Sequence, residues 1–260
     1  MGAAGLIEIK RRLKSVESTR KITKAMGLVA TSKLRKVRNE LANNEKYNEL
    51  CKDIVDVVVS NLPEGYESIY CTERKGDKLY IVLTSDTGLC GGYNNNVIAY
   101  LKEVLDNESG TEKIVLVGSK GLSYMSKYSL NTFNEYVSIP DIPTISEINK
   151  IYNEAIYLYK QGEVSEVNIV YTKFISPMKQ EPILIKMPFE VNSSKKEDYL
   201  IEPDFEEVLN NSIDTYLKSQ LQNCMLHAKA SEQSSRMTAM DGATENASDI
   251  INNLNIKYNR

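Results

Sequence analysis

The sequence predicts an α/β protein. A long helix at each end of the chain forms a coiled coil, and a domain of mixed helices and strands lies between the two. Three observations support this prediction. All seven prolines fall from position 63 to position 203, and proline breaks helix interiors. Both proline-free flanks carry apolar residues at alternating steps of three and four. The middle of the chain alternates short apolar runs with amphipathic stretches.

The C-terminal flank, residues 204–260, is predicted to be a continuous helix. Its seam residues recur at steps of four and three, as in a heptad repeat: Leu226, Ala230, Gln233, Met237, Met240, Thr244, Ala247, Ile251, Leu254 and Tyr258. A helix of this length would span about 85 Å at ~1.5 Å per residue, roughly twice the width of a compact domain. It must therefore project from its domain and pair with an equally long helix.

The N-terminal flank, residues 1–62, is the only stretch that can supply this partner. Its seam begins at Leu6 and continues to Leu41, with small and polar residues in its middle. Gly27 indicates a close helix–helix approach, and Gly242 is a candidate for a second such site. A neighbouring stripe of Ile22, Met26 and Val29 is predicted to replace the seam there, unless the coiled coil is simply imperfect. An antiparallel pair is the simplest arrangement.

The middle region, residues 63–203, is predicted to be a Rossmann-like α/β domain with a largely parallel sheet. Its apolar runs predict strands, and its amphipathic stretches predict helices. The predicted strands are residues 79–84, 113–117, 131–136, 167–171 and 183–187, and the predicted helices are residues 95–105, 121–128 and 146–161. In the last helix, Ser146 is the expected start and Gly162 the expected end.

Composition excludes several classes of protein. Hydrophobic and charged contents of 42% and 26% are typical of a soluble protein, and no apolar run is long enough to span a membrane. The first residues lack the features of a signal peptide, so we expect the protein to work in the cytosolic compartment. The four cysteines fit no disulfide or zinc pattern and are expected to be reduced and mostly buried: Cys51, Cys71, Cys90 and Cys224.

A glycine-rich stretch, residues 84–94, follows the first predicted strand. Such a turn is where α/β folds bind phosphates, but it matches neither phosphate-binding motif and no lysine follows the glycines. A tight structural turn is the favoured interpretation, and an anion site is the alternative. Cys90 as a nucleophile would need His227, the only histidine, as its base. His227 is expected to be simply packed or solvated.

The charge of the chain is unevenly distributed. Residues 1–38 carry a net charge of +9, whereas the whole chain carries −3. This basic arm predicts a negatively charged partner, either nucleic-acid phosphates or carboxylates on a protein surface, and the alternative is a basic face that is merely solvated. No aromatic residue precedes Tyr47, so stacking on bases is not offered. A nucleic-acid-binding coiled-coil protein is nevertheless the alternative function.

Three motifs closely resemble the γ subunit of F-type ATP synthase. They are the N-terminal runs at residues 7–12, 19–26 and 29–36, the glycine-rich stretch at residues 85–94, and the C-terminal run at residues 231–240. They occur in the family's order, with the family's helix–domain–helix arrangement, so the resemblance covers essentially the whole chain.

The resemblance implies a mechanical role. The two terminal helices would form the central rotor shaft inside a ring of three α and three β subunits. The α/β domain would sit at the foot, against the ε subunit and the membrane c ring. Rotation of the c ring would then change nucleotide affinity at each β site. The resemblance implies no catalytic site, cofactor or metal in this chain. It places the chain at the cytoplasmic face of a bacterial plasma membrane, through the complex.

The matching motifs also imply contact residues. Lys21, Lys24 and Met26 would face an acidic loop of the β subunits, with Arg236 at nearly the same level on the other helix. A second set would approach the ε subunit and the c ring: Tyr199, Ile201 and Glu202.

The sequence departs from the family in two respects. The family's C-terminal helix normally continues several turns beyond the position of Arg260, so contacts at the upper bearing are not assigned here. The dithiol insert of chloroplast relatives is also absent, and thiol regulation is therefore not expected.

Overall fold

The computed structural model describes residues 3–62, 70, 76–108, 110–187, 199, 201–202 and 204–259. Within these residues it contains five helices and five strands, which in chain order are α1 Ala3–Ser60, β1 Asp77–Leu83, α2 Tyr93–Asn107, β2 Glu112–Val117, α3 Gly121–Lys127, β3 Asn134–Tyr136, α4 Ile145–Lys160, β4 Val164–Ser176, β5 Lys179–Met187 and α5 Phe205–Asn259. The sequence placed the domain boundaries beside Pro63 and Pro203, which lie outside the described residues.

The two terminal helices pair lengthwise and run antiparallel. Near one end of the pair, the hydroxyl groups of Thr23 and Thr244 lie 2.8 Å apart, and further along, Glu45 of α1 approaches His227 of α5. The predicted seam is the buried stripe of α1 from Gly27 through Leu41, and it continues in the same register to Val58. The coiled coil predicted from the 3–4 spacing is therefore present, with helices of 58 and 55 residues.

The predicted replacement of this seam by a neighbouring stripe is wrong. Ile22 and Val29 are more than half exposed, because the heptad register passes through Gly27 without a shift. A Cβ atom at Gly27 would lie 3.1 Å from Asp241 Oδ1 and 3.6 Å from Met240 Cβ. The close approach expected at Gly27 is thus confirmed. The one suggested at Gly242 is not, since nothing lies within 4 Å of its added Cβ.

The middle region forms one five-stranded sheet in the order β3-β2-β1-β4-β5. Strands β3, β2, β1 and β4 are parallel, whereas β5 pairs with β4 in the antiparallel direction. The tight connection between β4 and β5 explains this difference, because only two residues separate the strands and a parallel pair needs a long crossover. The largely parallel sheet predicted from the sequence is confirmed, with one antiparallel edge strand.

The sheet has a helical layer on each face. On one face, α2 and α3 pack on a cluster that includes Tyr80, Val82 and Leu116. On the other face, α4 and the lower part of the helix pair pack on a larger cluster that includes Ile81 and Ile169. Strand residues alternate between these two clusters, as the period of two requires. The helix pair is therefore part of the domain's core at its base and leaves it further along.

Helix α4 begins slightly earlier than predicted. Its N-cap is Thr144 rather than Ser146, and the Thr144 side chain and the Glu147 carboxylate form a capping box. Glu147 Oε2 accepts a 2.9 Å hydrogen bond from the Thr144 amide. This satisfies amide groups that would otherwise be free at the helix start. Gly162 has φ +74° immediately beyond the helix, as expected for a glycine that terminates a helix.

Candidate functional site

The glycine-rich turn after β1 is filled by its own carboxylate. Asp86 Oδ1 accepts hydrogen bonds from the amides of Ser119 (3.1 Å) and Ser138 (3.0 Å), and Oδ2 accepts one from the amide of Ile139 (3.0 Å). These amides follow β2 and β3, at the edge of the sheet where doubly wound folds bind anions. Asp86 thus ties the turn after β1 to the two neighbouring loops, which supports the interpretation of a structural turn.

A small polar cluster holds the turn's interior. Asn94 Oδ1 accepts from the Ser85 amide at 2.9 Å, and its Nδ2 donates to Ser85 Oγ at 2.8 Å. The thiol of Cys90 contacts these same two side chains. Burial raises the pKa of the Cys90 thiol above its usual value, so the nucleophilic thiolate is disfavoured.

His227, the imagined base for Cys90, lies elsewhere. Its Nε2 is 3.5 Å from Glu45 Oε1, and its ring centroid is 6.1 Å from that of Tyr171. Burial, with a contribution from the charge of Lys173, lowers the pKa of His227 to about 4. The polar contacts of Cys90 and His227 involve different residues, and the arrangement offers no nucleophile–base pair. His227 is a packed, neutral side chain between the two long helices and β4.

Arg236 of α5 forms hydrogen bonds to the turn after β1. Its Nη2 donates to the Thr87 carbonyl (3.0 Å) and hydroxyl (2.7 Å), and its Nε donates to the Gly88 carbonyl (3.2 Å). The same Nη2 lies 2.9 Å from Glu232 Oε1, one helical turn away. The Arg236 side chain is only 8% exposed. Its guanidinium therefore joins the long helix to the turn after β1.

Glu232 is the buried carboxylate of this network. Its side chain is 3% exposed and is paired with two cations, Arg236 at 2.9 Å and Lys229 at 3.3 Å. A carboxylate can be buried at this depth only when it is paired and hydrogen-bonded. The triad Lys229–Glu232–Arg236 thus stabilises one face of α5 against the α/β domain.

The serines of the C-terminal motif contact the β4–β5 hairpin. Ser231 Oγ donates to the Thr172 carbonyl (3.0 Å), Ser234 Oγ donates to the Pro177 carbonyl (3.1 Å), and Ser235 Oγ donates to Gln180 Oε1 (3.2 Å). Small hydroxyl side chains let the strand and helix backbones approach closely while satisfying buried carbonyls. The motif at residues 231–240 therefore joins α5 to the domain.

The loop before α4 reaches both long helices through one side chain. Asp141 Oδ2 lies 2.8 Å from Lys33 Nζ on α1, and Asp141 Oδ1 accepts a 2.9 Å hydrogen bond from Gln233 Nε2 on α5. The backbone of this loop is held at Ser138 and Ile139 by Asp86. The turn after β1 and the loop before α4 are consequently one connected support for the helix pair.

A groove lies where the helix pair leaves the domain. It has a volume of about 370 Å³, and its lining residues come from α1, from the turn and from α5: Ala25, Met26, Val29, Ala30, Lys33, Thr87, Gly88, Leu89, Gln233 and Arg236. The structure thus brings Met26 and Arg236 to one site, although most of the Arg236 side chain is buried. Lys21 and Lys24 are exposed on α1, five and two residues before Met26. Leu89, which is 59% exposed with φ +61°, forms the rim of the groove on the domain side.

The residues assigned to the foot are only partly described. Tyr199 is about half exposed, Glu202 is exposed, and Ile201 packs against the large core cluster. Leu200 and Pro203 lie outside the described residues. The structure places these three residues just before α5, at the end of the helix pair opposite the groove.

The part of the chain that the structure describes contains no cluster of three or more His, Cys, Asp or Glu side chains suited to hold a metal ion. Over the same residues, no helix is both long and apolar enough to span a bilayer. Cys51, Cys90 and Cys224 are free and buried, whereas Cys71 lies outside the described residues.

Comparison with known proteins assigns the chain to a family. A family model described as ATP synthase matches residues 5–260. The ATP synthase gamma chain of Clostridium botulinum is 55% identical over all of this chain and 93% of its own length. This chain belongs to the ATP synthase gamma chain family. The gamma chain of Clostridium beijerinckii is 49% identical over the same shares of the two chains.

Solved rotor and central-stalk chains share the fold. A rotor chain of the mitochondrial ATP synthase of Euglena gracilis superimposes with a TM-score of 0.69 at 16% identity, covering 99% of this chain and 97% of that one. A central-stalk chain of the Tetrahymena thermophila enzyme gives a TM-score of 0.65 at 24% identity, covering 85% and 99%. At these identities the likeness concerns the arrangement of the helix pair and the α/β domain.

The sequence analysis did not identify Glu232 and Asp141 as residues that join the α/β domain to the helix pair. Glu232 stands four residues before Arg236, a spacing that predicts an ion pair on one helix face, so this pair could have been found. Asp141 gave no such signal, because its partners lie 108 and 92 positions away in the chain. Asp86, in the glycine-rich stretch, also gave no signal of its role, and the structure shows that it binds backbone amides.

Proposed function

We propose that this chain is the central rotor shaft of a rotary, ion-translocating ATP synthase. It would couple rotation of a membrane c ring to conformational changes at the nucleotide sites of β subunits. The observation that carries this proposal is a 58-residue and a 55-residue helix paired antiparallel on a small α/β domain, in a chain of the gamma family. Such a shape extends far beyond one domain and has two different ends.

The partners follow from this arrangement. The free part of the helix pair would lie inside a ring of three α and three β subunits, and the domain would contact an ε subunit and the c ring. A shaft can drive three sites in sequence only if each site meets a different face of it, since an equilibrium shifts only through differential contacts. A two-helix shaft is not symmetric about its axis and meets this condition.

The basic arm supplies contacts for the β subunits. Lys21 and Lys24 are exposed on α1 and have no ion-pair partner among the described residues. An acidic loop of a β subunit would contact these two charges beside Met26, which lines the groove. Arg236 would act at the same level by holding the Thr87–Gly88 turn, which forms the groove's opposite wall. Tyr199, Ile201 and Glu202 would serve the contact with the ε subunit and the c ring.

The chain itself would perform no bond chemistry. The buried thiol of Cys90, the neutral His227 and the carboxylate of Asp86 are each engaged in packing or in hydrogen bonds to the backbone. The chain would be a non-catalytic subunit, held at the cytoplasmic face of a bacterial plasma membrane by its complex. Nothing in the site favours the nucleic-acid-binding alternative over this role.

Reconstitution tests the proposal directly. The purified chain is mixed with α and β subunits, and co-elution on a sizing column and the ATPase rate are measured together. We expect one copy to join a six-membered ring and to change its turnover. A ring that forms without the chain, and hydrolyses ATP at the same rate in its presence, would contradict the proposal.

A further inference from the structure

We propose that Asp141 is the positioning residue that makes the two helices of the shaft turn together with the foot. This inference rests on the proposed function. It assigns to one carboxylate the link between the α/β domain and both long helices, at the level where the pair leaves the domain.

The two helices make different polar contacts with the domain, although residues of both, among them Val55 and Val58 of α1, pack in its large core cluster. Helix α5 carries the Arg236 contacts to Thr87 and Gly88, and its serines bind the β4–β5 hairpin. Helix α1 packs its seam on α5, and Phe174 of β4 joins the same apolar cluster as Leu34 and Val37. Among the described residues, the Lys33–Asp141 pair is the one ion pair between α1 and the domain.

Asp141 uses its two oxygens on different helices. Oδ2 faces Lys33 Nζ of α1 at 2.8 Å, and Oδ1 accepts from Gln233 Nε2 of α5 at 2.9 Å. Gln233 is buried in the seam between the helices. A carboxylate that bridges a cation and an amide in this way fixes the rotation of one helix relative to the other.

The bridge stands on a rigid support. Asp86 binds the amides of Ser138 and Ile139, three and two residues before Asp141. Asp86 itself belongs to the turn that Arg236 grips one residue later, at Thr87. These contacts form a closed circuit. Arg236 binds the turn after β1, and Asp86 in that turn binds the loop before α4. Asp141 in that loop then binds Gln233 and Lys33 on the two long helices. Force on the foot therefore reaches both helices by polar contacts of fixed direction.

This circuit separates Lys33 from the rest of the basic arm. Lys21 and Lys24 point to an external partner, whereas Lys33 has its carboxylate within the chain. The Lys33 and Asp141 side chains are 46% and 32% exposed, so the pair contributes little to the stability of the resting fold. The contribution that we assign to it is one of position, because a shift of α1 or α5 relative to the loop breaks one of the two contacts of Asp141.

A charge swap tests the proposal in the complete complex. Membrane vesicles carrying the whole synthase receive the unmodified chain, Asp141→Lys, Lys33→Asp, or both changes together. The readout is the membrane potential generated per ATP hydrolysed, which is independent of the ion that is pumped. We expect each single change to lower this ratio by on the order of twofold, because each places two like charges opposite one another at this joint. The double change should restore most of it.

Two further variants complete the experiment. Asp141→Asn keeps an acceptor for Gln233 but loses the charge that Lys33 needs, and should lower the ratio even if Asp141→Lys fails to assemble. Asp106→Asn, on the exposed surface of α2, should leave the ratio unchanged. The inference is overturned if the Asp141 variants match Asp106→Asn, or if the double change is no better than the worse single change. Failure of the unmodified chain to assemble would instead contradict the proposed function and remove the basis of this inference with it.

Discussion

Gly27 of α1 and Asp241 of α5 are so close that a Cβ atom at Gly27 would lie 3.1 Å from Asp241 Oδ1. Glycine in a helix interior costs about 1 kcal/mol relative to alanine. The helices accept this cost because a side chain at Gly27 would have to displace the Asp241 carboxylate, and the added Cβ atom would already contact Met240 Cβ at 3.6 Å. The relationship explains an otherwise unfavourable residue and gives the first prediction.

Gly27→Leu should destabilise the chain by about 1–3 kcal/mol, because overpacking forces rotamers and backbones to shift. The matched control is Gly242→Ala, where open space surrounds the added methyl group and where helix propensity predicts a gain of up to about 1 kcal/mol. Urea unfolding followed by helical circular dichroism measures both. Equal midpoints for the two variants would contradict the close approach.

Arg236→Ala should cost about 3–5 kcal/mol, since it leaves Glu232 buried with a single cation and frees the carbonyls of Thr87 and Gly88. The control Arg35→Ala removes a similar cation from the exposed basic arm and should change stability by less than about 0.5 kcal/mol. The free energy of unfolding of the isolated chain is the measurement. A small loss at Arg236, comparable to that at Arg35, would assign the side chain to partner contact alone.

Asp86→Asn should loosen the loop before α4. Asparagine keeps one acceptor oxygen where the carboxylate offers two, so at least one of the three amides loses its partner, at a cost of about 1–3 kcal/mol. Amide hydrogen exchange should accelerate at Ser138 and Ile139 and stay unchanged in α2. Added phosphate should not raise the melting temperature of the unmodified chain, because Asp86 places a negative charge in this turn and already binds the neighbouring amides. Clear stabilisation by phosphate would revive the anion-site interpretation.

His227 should make the chain acid-sensitive. Its pKa is lowered to about 4 in the folded state, against about 6.5 unfolded, so the unfolded chain binds the proton more readily. Stability is full above about pH 6.5 and falls as the pH drops towards 4, by on the order of 2 kcal/mol. His227→Asn should flatten this slope in urea titrations at pH 7 and pH 5. An unchanged slope in the variant would trace the acid sensitivity to other groups.

Charge reversal at Lys21 and Lys24 should perturb ATPase coupling without loss of fold, because both side chains are exposed and lack ion-pair partners among the described residues. The comparison is Lys160→Glu, at the exposed end of α4. Melting temperature should remain the same in all variants, and only the Lys21 and Lys24 variants should change the ATPase rate of the reconstituted ring. Coupling that survives both reversals would argue against the assigned β contact.

The parts of the fold that could be predicted from the sequence are those in which the spacing of apolar residues follows the period of a single helix or strand. Steps of three and four gave the long helices, and apolar runs gave the strands, because each pattern reports a single face of a single element. Gly162 at the end of α4 was predicted for the same reason. The stripe of Ile22 and Val29 was misread because one helix cannot show which of two adjacent stripes its partner covers.

The joints between elements were not predictable in the same way. Asp141, Gln233 and Lys33 meet through loops whose path depends on the folded sheet, and no spacing in the chain records it. The resemblance directed attention to Arg236 as a partner contact, whereas its guanidinium binds Thr87, Gly88 and Glu232 within the chain. A motif tells which residues matter, and the structure shows what they touch.

The hydroxyl groups that meet at Thr23 and Thr244 are separated by 221 positions in the chain, and this separation sets an order of events during synthesis. At about 5–20 residues per second, α1 leaves the ribosome roughly 10–45 seconds before the partner that covers its seam. All five strands are complete in this interval. Since a lone helix is only marginally stable in water, α1 stays without its partner until α5 emerges, and the larger core of the sheet domain, to which α5 contributes, is completed only then.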